Sequence, residues 1–299
     1  MESVLTPPIE LSQRRSDTIA RLITSSYEKY MDVNTVVAWN KGIDRKLLPK
    51  DPTQSWIYGT LWWDILTDEQ RTEVLWLETA RDASMFITLE TSLPPLYVGY
   101  INRYGDALPR DVYEYMMIFS KEEINHTLAF RRYMKMAGLK MFRPADGIFE
   151  LLVHKLPTMH PVSGMLVTVV LELVAELAAM HATKGDNIEP RTVEMFHQHH
   201  EEEARHIAFG RLIGDAYFET APEADLAQMR GLLRNLMDRL IPQFTYNPEI
   251  AEHTSFAFPI ARDDHAAIAA VRSSAANQAL NAKRFAPLYS WLRKLGVCE

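Results

Sequence analysis

One stretch of this chain combines side chains that bind metals with a regular spacing. It reads His199-His200-Glu201-Glu202-Glu203-Ala204-Arg205-His206. In a helix, His199, Glu203 and His206 occupy positions i, i+4 and i+7 and therefore share one face. Burying two imidazoles and a carboxylate together costs free energy unless a cation compensates them, and both groups are usual ligands of transition metals. The stretch therefore predicts a metal site on a helix.

An earlier segment repeats half of this pattern. Glu123 precedes His126 by three residues, as Glu203 precedes His206, so each pair lies on one face of its helix. Two Glu-x-x-His pairs on separate helices are typical of a carboxylate-bridged dinuclear metal site in a helical bundle. The spacing thus predicts two metal ions held between helices.

Other polar residues of these segments are expected on solvated faces. A third pair, Glu194 and His197, is one of them, because His197 lies roughly 200° around the helix from His199 at about 100° per residue. The same expectation applies to the remaining acidic and imidazole neighbours of the two motifs, which are Glu122, His200, Glu201 and Glu202.

Two carboxylates interrupt the most apolar segment of the chain. Glu172 and Glu176 lie in residues 167–177, which contain neither Lys nor Arg. A carboxylate in such surroundings needs a partner, and a metal would provide one. Spacing alone leaves Glu172 and Glu176 as alternatives for a ligand.

A further acidic candidate is Glu90, which lies among the apolar residues of 85–93. It competes with Glu78, twelve residues earlier. Glu78 has Arg81 and Asp82 close by in the sequence, so we expect Glu78 to be exposed and Glu90 to face the site.

The elements that must position these residues are helices. Glycine is scarce, with 12 in 299 residues, and apolar residues recur at three- and four-residue spacing, which indicates helix rather than sheet. Thr67 and Gln70 form a capping-box pattern, Pro94-Pro95 should kink or end the second helix, and Pro287 should end the last one. The predicted helices span about 12–30, 67–92, 109–138, 161–183, 190–217, 222–240 and 263–286, with a short amphipathic piece at 148–154.

These elements predict an all-α protein with a four-helix bundle core and additional N- and C-terminal helices. We expect one domain over 1–299, with the metal-binding core at about 67–217. The net charge of −7 argues against nucleic acid as a partner. The one cysteine, Cys298, excludes an internal disulfide. No signal peptide is visible at the N-terminus, and the apolar run at 165–171 is too short to span a membrane. A cytoplasmic protein is expected.

At these residues the chain resembles the p-aminobenzoate N-oxygenases, ferritin-like non-haem diiron enzymes that oxidise arylamines. The resemblance rests on Glu123-Ile124-Asn125-His126, on the stretch 199–206 and on Ile188-Glu189-Pro190. His199 is its specific mark, because ordinary ferritin-like diiron sites use two histidines and this family adds a third, one turn before the second Glu-x-x-His. The resemblance implies a ferritin-like bundle and favours Glu172 over Glu176. The implied ligands are Glu90, Glu123, His126, Glu172, His199, Glu203 and His206.

The resemblance also implies an activity. Two iron ions, with manganese as a substitute metal, would react with O2 through a peroxo-diferric intermediate and oxidise an (aryl)amine to the hydroxylamine or nitro level. The implied partners are a small-molecule amine, O2, an external reductase or ferredoxin and a second copy of the chain in a homodimer. No catalytic residue beyond the ligands is expected. The alternatives are a diiron oxidase that hydroxylates or desaturates carbon, and a ferroxidase or iron-storage protein.

One departure from the family concerns the substrate. Members that bind an aryl carboxylate carry an Arg about one turn before the first ligand Glu, whereas this chain has Met85-Phe86-Ile87 there and Arg81 further back. This argues against p-aminobenzoate itself as the substrate. We expect an apolar pocket with few polar groups, for which the candidates are Tyr97, Tyr100, Arg103, Tyr104, Asn125 and Tyr133.

Overall fold

The computed structural model describes residues 9–144, 147, 150–185, 187–241 and 244–299. Within these residues the only β-pairing is an isolated bridge between Leu48 and Ile188, so the predicted all-α class is confirmed. Of the amphipathic piece predicted at 148–154, residues 148 and 149 lie outside the described residues, and Glu150–Lys155 forms a π-helix. The α-helices are α1 (Gln13–Glu28), α2 (Leu61–Asp64), α3 (Asp68–Tyr104), α4 (Arg110–Met136), α5 (Pro161–Ala179), α6 (Pro190–Thr220), α7 (Glu223–Leu240), α8 (Ile250–His253), α9 (His265–Arg272) and α10 (Ala275–Lys294).

Four long helices form the centre of the molecule. Helix α3 packs against α4 and α5, and α6 packs against α5 and α4, so the four close into a bundle. Helix α1 lies on α4 and α6, while α7 and α10 lie on α5. This arrangement matches the predicted bundle with added terminal helices and is consistent with a ferritin-like core. The single-domain assignment over 1–299 stays a prediction.

The starts of the bundle helices follow from local chemistry. The Thr67 hydroxyl accepts a hydrogen bond from Gln70 N and the Gln70 side chain accepts one from Thr67 N, which completes the predicted capping box of α3. Pro190 opens α6 in the first turn, where its missing N–H costs nothing. The carboxylate of Glu189 accepts from Thr192 N and satisfies a free donor of the same turn.

Helix α3 continues through Pro94-Pro95, whereas the sequence predicted its end or a kink near Ser92. The two prolines cannot donate to the carbonyls of Glu90 and Thr91. The residues beyond them are nevertheless buried, among them Leu96, Tyr97 and Tyr100. We attribute the continued helix to this packing, which outweighs the loss of two backbone hydrogen bonds.

The C-terminal helices also differ from the prediction of one helix over about 263–286. The segment is divided at Ser273-Ser274, where the Ser274 hydroxyl accepts from Asn277 N and caps α10. Pro287 lies inside α10, which runs to Lys294. Buried residues on both sides of this proline, such as Phe285 and Trp291, pack into the core and account for the continuation.

Helix α5 is enclosed by the rest of the protein. By length and composition alone its 19 residues could cross a membrane, which makes the apolar segment longer than the sequence analysis predicted. All of it is buried inside the protein. A core helix of this kind needs no lipid, because neighbouring helices remove its apolar surface from water.

Candidate metal centre

The four bundle helices bring all the predicted ligand residues to the interior. Helix α3 contributes one carboxylate, α4 one Glu-x-x-His pair, α5 one carboxylate, and α6 the second pair together with the extra imidazole. Each of these side chains is buried. They are Glu90, Glu123, His126, Glu172, His199, Glu203 and His206.

Two overlapping groups of ligand atoms lie close enough to hold metal ions. One consists of Glu90, His126, His199 and Glu203, and the other consists of Glu123, His126, Glu203 and His206. Within each group all the ligand atoms lie within 4.8 Å of one another. The shared members, His126 and Glu203, place the two groups side by side, as a dinuclear site requires.

Glu203 lies at the middle of this arrangement. Its Oε1 is 3.2 Å from His126 Nδ1, 3.4 Å from His199 Nε2 and 3.4 Å from His206 Nδ1. One carboxylate oxygen surrounded by three imidazole nitrogens is suited to bridge two cations.

Glu90 and Glu123 lie beside different imidazoles of the centre. Glu90 Oε1 lies 2.8 Å from His199 Nε2, and Glu123 Oε1 lies 2.9 Å from His206 Nδ1. Each belongs to only one of the two groups.

Glu172 lies at the edge of the centre. It belongs to neither close group, yet both its carboxylate oxygens are buried without a hydrogen-bond partner. Burial and the charge of Glu203 raise its pKa well above the ordinary range. Glu176 points elsewhere, because its oxygens contact His199 Nδ1 at 2.9 Å and His200 Nδ1 at 2.6 Å. Of the two alternatives, Glu172 is thus the one with free oxygens.

The unsatisfied atoms fit a metal. Buried polar atoms ordinarily have hydrogen-bond partners, yet several atoms of the centre have none. They are Glu90 Oε2, both oxygens of Glu123 and Glu172, Glu203 Oε2, and Nδ1 of His126 and His206. Imidazole nitrogens and carboxylate oxygens without protein partners form a donor set that suits iron or manganese.

The protonation of the centre follows from burial and from the charges of neighbouring side chains. Burial and the charge of Glu203 raise the pKa of Glu123 to about 7. Burial opposes protonation of His199, but Glu176 and Glu90 raise its pKa to about 10. Burial likewise opposes ionisation of Glu203, whose pKa is nevertheless held well below its ordinary range by His206, His126 and His199. Protons on the imidazoles thus balance the carboxylates where a metal would do so.

The neighbours of the two Glu-x-x-His motifs contradict the prediction of a solvated face. Glu122 and Glu202 are buried. The imidazole of His206 is hydrogen-bonded through Nε2 to Glu122 at 2.9 Å, and that of His126 through Nε2 to Glu202 at 2.7 Å. These carboxylates hold each ring so that Nδ1 faces the centre. The pairing crosses between α4 and α6, so the spacing along a single helix did not show it.

Arg205 contacts both of the carboxylates that hold the imidazoles, Glu122 and Glu202. It is buried, and its Nη2 lies 3.0 Å from Glu122 and 3.2 Å from Glu202. Arg205 Nε donates to Ser26 Oγ at 2.9 Å, and Glu202 also accepts from Met31 N at 2.6 Å. The positive charge of Arg205 thus compensates the two buried carboxylates.

The other polar neighbours have mixed outcomes. Glu201 and His197 are exposed, as predicted. His200 is half-buried and contacts Glu176, so it is more than a solvated side chain. Glu78 was predicted to be exposed, but it is buried, with Lys50 Nζ at 3.0 Å and Trp56 N donating to it at 3.0 Å. The compensating Lys50 is distant in sequence, so local context could not reveal this ion pair.

Aromatic rings close the centre against water. The rings of Phe86 and Phe130 lie 4.7 Å and 4.8 Å from that of His199, and Phe119 lies 4.2 Å from His206. Phe86 is one turn before Glu90 on α3. A low-dielectric wall of this kind strengthens the charge interactions inside it.

A comparison with protein-family models matches residues 12–296 to P-aminobenzoate N-oxygenase AurF. The chain belongs to this family. The match covers nearly all of the 299 residues and confirms the resemblance inferred from the motifs. Neither the comparison with curated proteins nor the comparison with solved structures found a match.

Most of the polar side chains predicted for the substrate pocket of this family member have other partners. Tyr100 OH donates to Leu156 O at 2.8 Å, and Tyr133 OH is hydrogen-bonded to Thr192 Oγ1 at 2.7 Å. Arg103 donates to Pro157 O at 2.7 Å. Asn125 donates to Met31 O at 3.4 Å, and Tyr104 lies beside Arg103. The polar groups of these side chains are therefore engaged by other parts of the protein.

Tyr97 is the exception among the pocket candidates. It lies seven residues after Glu90 on the same helix, is buried and stacks on Phe119 with ring centroids 4.3 Å apart. Burial and the charge of Glu172 raise its pKa well above the ordinary range. A neutral phenol therefore lies beside the Glu172 edge of the centre.

Proposed function

We propose that this protein is a non-haem diiron, O2-dependent oxygenase that transfers oxygen to the nitrogen of an (aryl)amine, giving the hydroxylamine and, on further turnover, the nitro level. The observation that carries this is a buried centre with three imidazoles around one carboxylate oxygen in a chain of the N-oxygenase family. The third imidazole separates this centre from a two-histidine ferritin-like site.

The proposed ligand set divides into three roles. Glu203 would serve both close groups, Glu90 and His199 would help to hold a metal ion in one, and Glu123 and His206 would do so in the other. The distances among these side chains support this division. His126 belongs to both close groups, and Glu172, with both oxygens free, supplies the remaining carboxylate. Manganese, which accepts the same donors, is the substitute metal.

The surrounding side chains position the ligand imidazoles and exclude water from the centre. When bound, a pair of iron ions supplies the reduction of O2 and the oxygen atom that reaches the substrate nitrogen. Glu122, Glu202 and Glu176 hold the three imidazole rings from outside. Phe86 and Phe119 keep bulk water away from the rings.

The proposed substrate is an apolar aromatic amine without a carboxylate near α3. Phe86 lies where family members that bind an aryl carboxylate have an Arg, and its ring packs on Phe130 at 5.1 Å. An unpaired substrate carboxylate in this apolar wall would pay a large desolvation penalty. We further propose a cytoplasmic homodimer that receives electrons from a reductase or ferredoxin.

The test starts from metal-free full-length protein. Fe(II) is added without oxygen, 18O2 is then admitted, and a panel of arylamines with and without a carboxylate is analysed by mass spectrometry. We expect 18O on nitrogen, with carboxylated amines as poor substrates. Oxygen found on carbon would favour the carbon-oxidising alternative. Iron that accumulates well beyond two ions per chain would favour ferroxidase or storage activity.

A pair of variants tests the extra imidazole. His199→Ala should lower the iron content or abolish the reaction with O2, because it removes a nitrogen donor 2.8 Å from Glu90. His197→Ala is the matched control, since His197 is exposed on the same helix. Unchanged iron loading and O2 reactivity in His199→Ala would show that the ligand set is wrong.

A further inference from the structure

The three imidazoles of the centre differ in what lies behind them. Glu202 lies behind His126, and Glu122 lies behind His206. Both carboxylates contact Arg205, a buried cation, at 3.2 Å and 3.0 Å. These two series of contacts therefore end inside the protein.

Behind His199 a row of metal donors reaches the surface. His200 Nδ1 lies 2.6 Å from Glu176 Oε2, and Glu176 Oε1 lies 2.9 Å from His199 Nδ1. On the inner side, His199 Nε2 lies 2.8 Å from Glu90 Oε1. The side chain of His200 is 37% exposed, whereas Glu176, His199 and Glu90 are buried. Imidazole and carboxylate thus alternate from solvent to one of the two close groups of ligand atoms.

A row of this kind meets the main physical requirement for moving a cation into the protein. A divalent ion that leaves water loses its hydration unless donor atoms replace the water molecules. Imidazole nitrogens and carboxylate oxygens are such donors for transition metals. Because each donor in the row contacts the next, an ion passing along it is always within reach of one.

The outer pair of the row is suited to transit rather than to storage. Glu176 and His200 belong to neither close group of ligand side chains found among the described residues. They offer one carboxylate and one imidazole, fewer donors than either close group. A path that conducts ions needs binding that is favourable enough for entry and weak enough for release.

The charges near this opening include both signs. Three cations act on His181 together with His200, and they are Lys184, Lys283 and Arg284. Three carboxylates lie in the same region, namely Glu176 itself, the exposed Glu201 next to His200, and Asp51, whose N donates to Ala182 O after α5. Positive charge near His200 is therefore accompanied by an equal number of carboxylates.

We propose that His200 and Glu176 form the entry site through which a divalent transition-metal ion passes from solvent to the centre. This inference rests on the metal centre of the proposed function. His200 captures the ion at the surface, and Glu176 passes it to His199 and Glu90. Neither His200 nor Glu176 keeps the ion once the centre is filled.

The experiment follows metal uptake by metal-free full-length protein. Co(II) is mixed with the protein without oxygen in a stopped-flow instrument, and the visible absorption of bound Co(II) reports loading. His200→Leu should slow uptake roughly tenfold, which corresponds to about 1.4 kcal/mol of barrier. Release to a chelator should slow by the same factor, because a barrier on the route is common to both directions. The equilibrium Kd and the number of ions bound should then be unchanged.

Two further variants separate a transit role from a structural one. His197→Leu is the matched control, since His197 is 63% exposed on the same helix, and it should load at the normal rate. His200→Cys keeps a donor for Co(II) at the surface and should recover most of the rate. Normal uptake in His200→Leu would overturn the proposal, as would a weaker Kd with an unchanged uptake rate. Equal slowing in His200→Leu and His200→Cys would also overturn it.

These measurements use neither O2 nor an amine, so they are independent of the reaction. If His200→Leu loads slowly and the loaded protein oxidises no amine, the proposed activity fails and the entry site stands. Amine oxidation together with normal uptake in His200→Leu leaves the activity standing and removes the entry site. A protein that takes up no Co(II) at all would overturn both the centre and its entry site.

Discussion

At the scale of single residues, the centre depends on carboxylates that do not face it. Glu122 and Glu202 hold the imidazoles of His206 and His126 through their outer nitrogens. Each lies directly before the Glu of its own motif, and each contacts the histidine of the other motif. The two Glu-x-x-His helices are therefore coupled by two reciprocal contacts as well as by any shared metal.

Replacing these outer carboxylates should weaken metal binding. Glu122→Ala and Glu202→Ala each leave a ligand imidazole without its orienting partner, and Arg205 loses a compensating charge. We expect a 10–100-fold loss of metal affinity, measured by competition with a coloured chelator. Glu201→Ala is the control, since Glu201 is exposed. Equal affinities for all three variants would contradict the assigned roles.

The protons of the centre predict a pH dependence with a definite sign. In the metal-free protein, Glu123 has its pKa raised from 4.5 to about 7, and His199 has its pKa raised from 6.5 to about 10. Between pH 4.5 and 7 the folded chain holds a proton on Glu123 that the unfolded chain has released. The stabilisation from charged His199 is complete below pH 6.5 and is lost as pH rises through about 10. Both groups therefore lower the stability of the metal-free protein as pH rises from about 5 to 10.

Metal binding should show the opposite trend. The ligands must lose their protons to bind, so binding releases protons and its affinity rises with pH over the same range. Thermal unfolding of chelator-treated protein at pH 5 to 9 measures the first trend. Calorimetric titration with Mn(II) in buffers of different ionisation enthalpy measures the second. A metal affinity that did not change with pH would contradict the protonation described for Glu123 and His199.

At the scale of elements, the close approach of α5 and α6 positions the centre. Gly210 on α6 lies one turn beyond His206, and a Cβ there would meet Val169 Cβ at 2.8 Å and Cγ2 at 3.0 Å. Glu172, three residues after Val169, is on the same side of α5. The absence of a side chain at Gly210 thus lets the two ligand-bearing helices approach.

A pair of glycine variants tests this approach. Gly210→Ala should destabilise the protein by about 1–3 kcal/mol, because the new methyl group overlaps the branched Val169. Gly99→Ala is the matched control, since a Cβ at this exposed site in α3 meets nothing within 4 Å, and it should stabilise by roughly 0.5–1 kcal/mol. Denaturant unfolding of the metal-free protein measures both. Equal stabilities of the two variants would show that α5 and α6 are not closely packed there.

At the scale of the whole molecule, the predicted metal site joins four helices that are distant in sequence. Without bound metal, the helices α3, α4, α5 and α6 bring together carboxylates that repel one another and buried atoms that lack hydrogen-bond partners. Bound metal would reduce the repulsion between the carboxylates and would give the buried atoms a partner.

Metal removal should therefore lower stability. A ligand that binds only the folded state stabilises it by about 4 kcal/mol at a free concentration of 1,000 times its Kd. We expect a clear fall in Tm when the loaded protein is treated with a chelator, and recovery on adding Fe(II) without oxygen. In Glu203→Ala, which lacks the central carboxylate, chelation should leave Tm nearly unchanged. A full chelator effect in that variant would place the metal elsewhere.

Much of the architecture followed from the sequence. Helical periodicity and capping residues predicted the bundle helices and most of their starts, such as Thr67 and Pro190. Among the helix predictions, those that failed were the single helix over 263–286, the kink or end expected at Pro94-Pro95 and the end expected at Pro287. Local chemistry disfavours proline inside a helix, but burial on both sides of these residues is a tertiary contribution that no local window contains.

The sequence by itself determined which residue types share a helix face, and hence the two Glu-x-x-His motifs, the extra imidazole and membership of the family. Only the tertiary structure decided which side chains meet across helices. It turned Glu122 and Glu202 inward, directed Glu176 to His199 and His200, and paired Glu78 with Lys50. The physical reason is that a buried charge is tolerated only beside its partner, and each of these partners lies at least 23 residues away in the sequence.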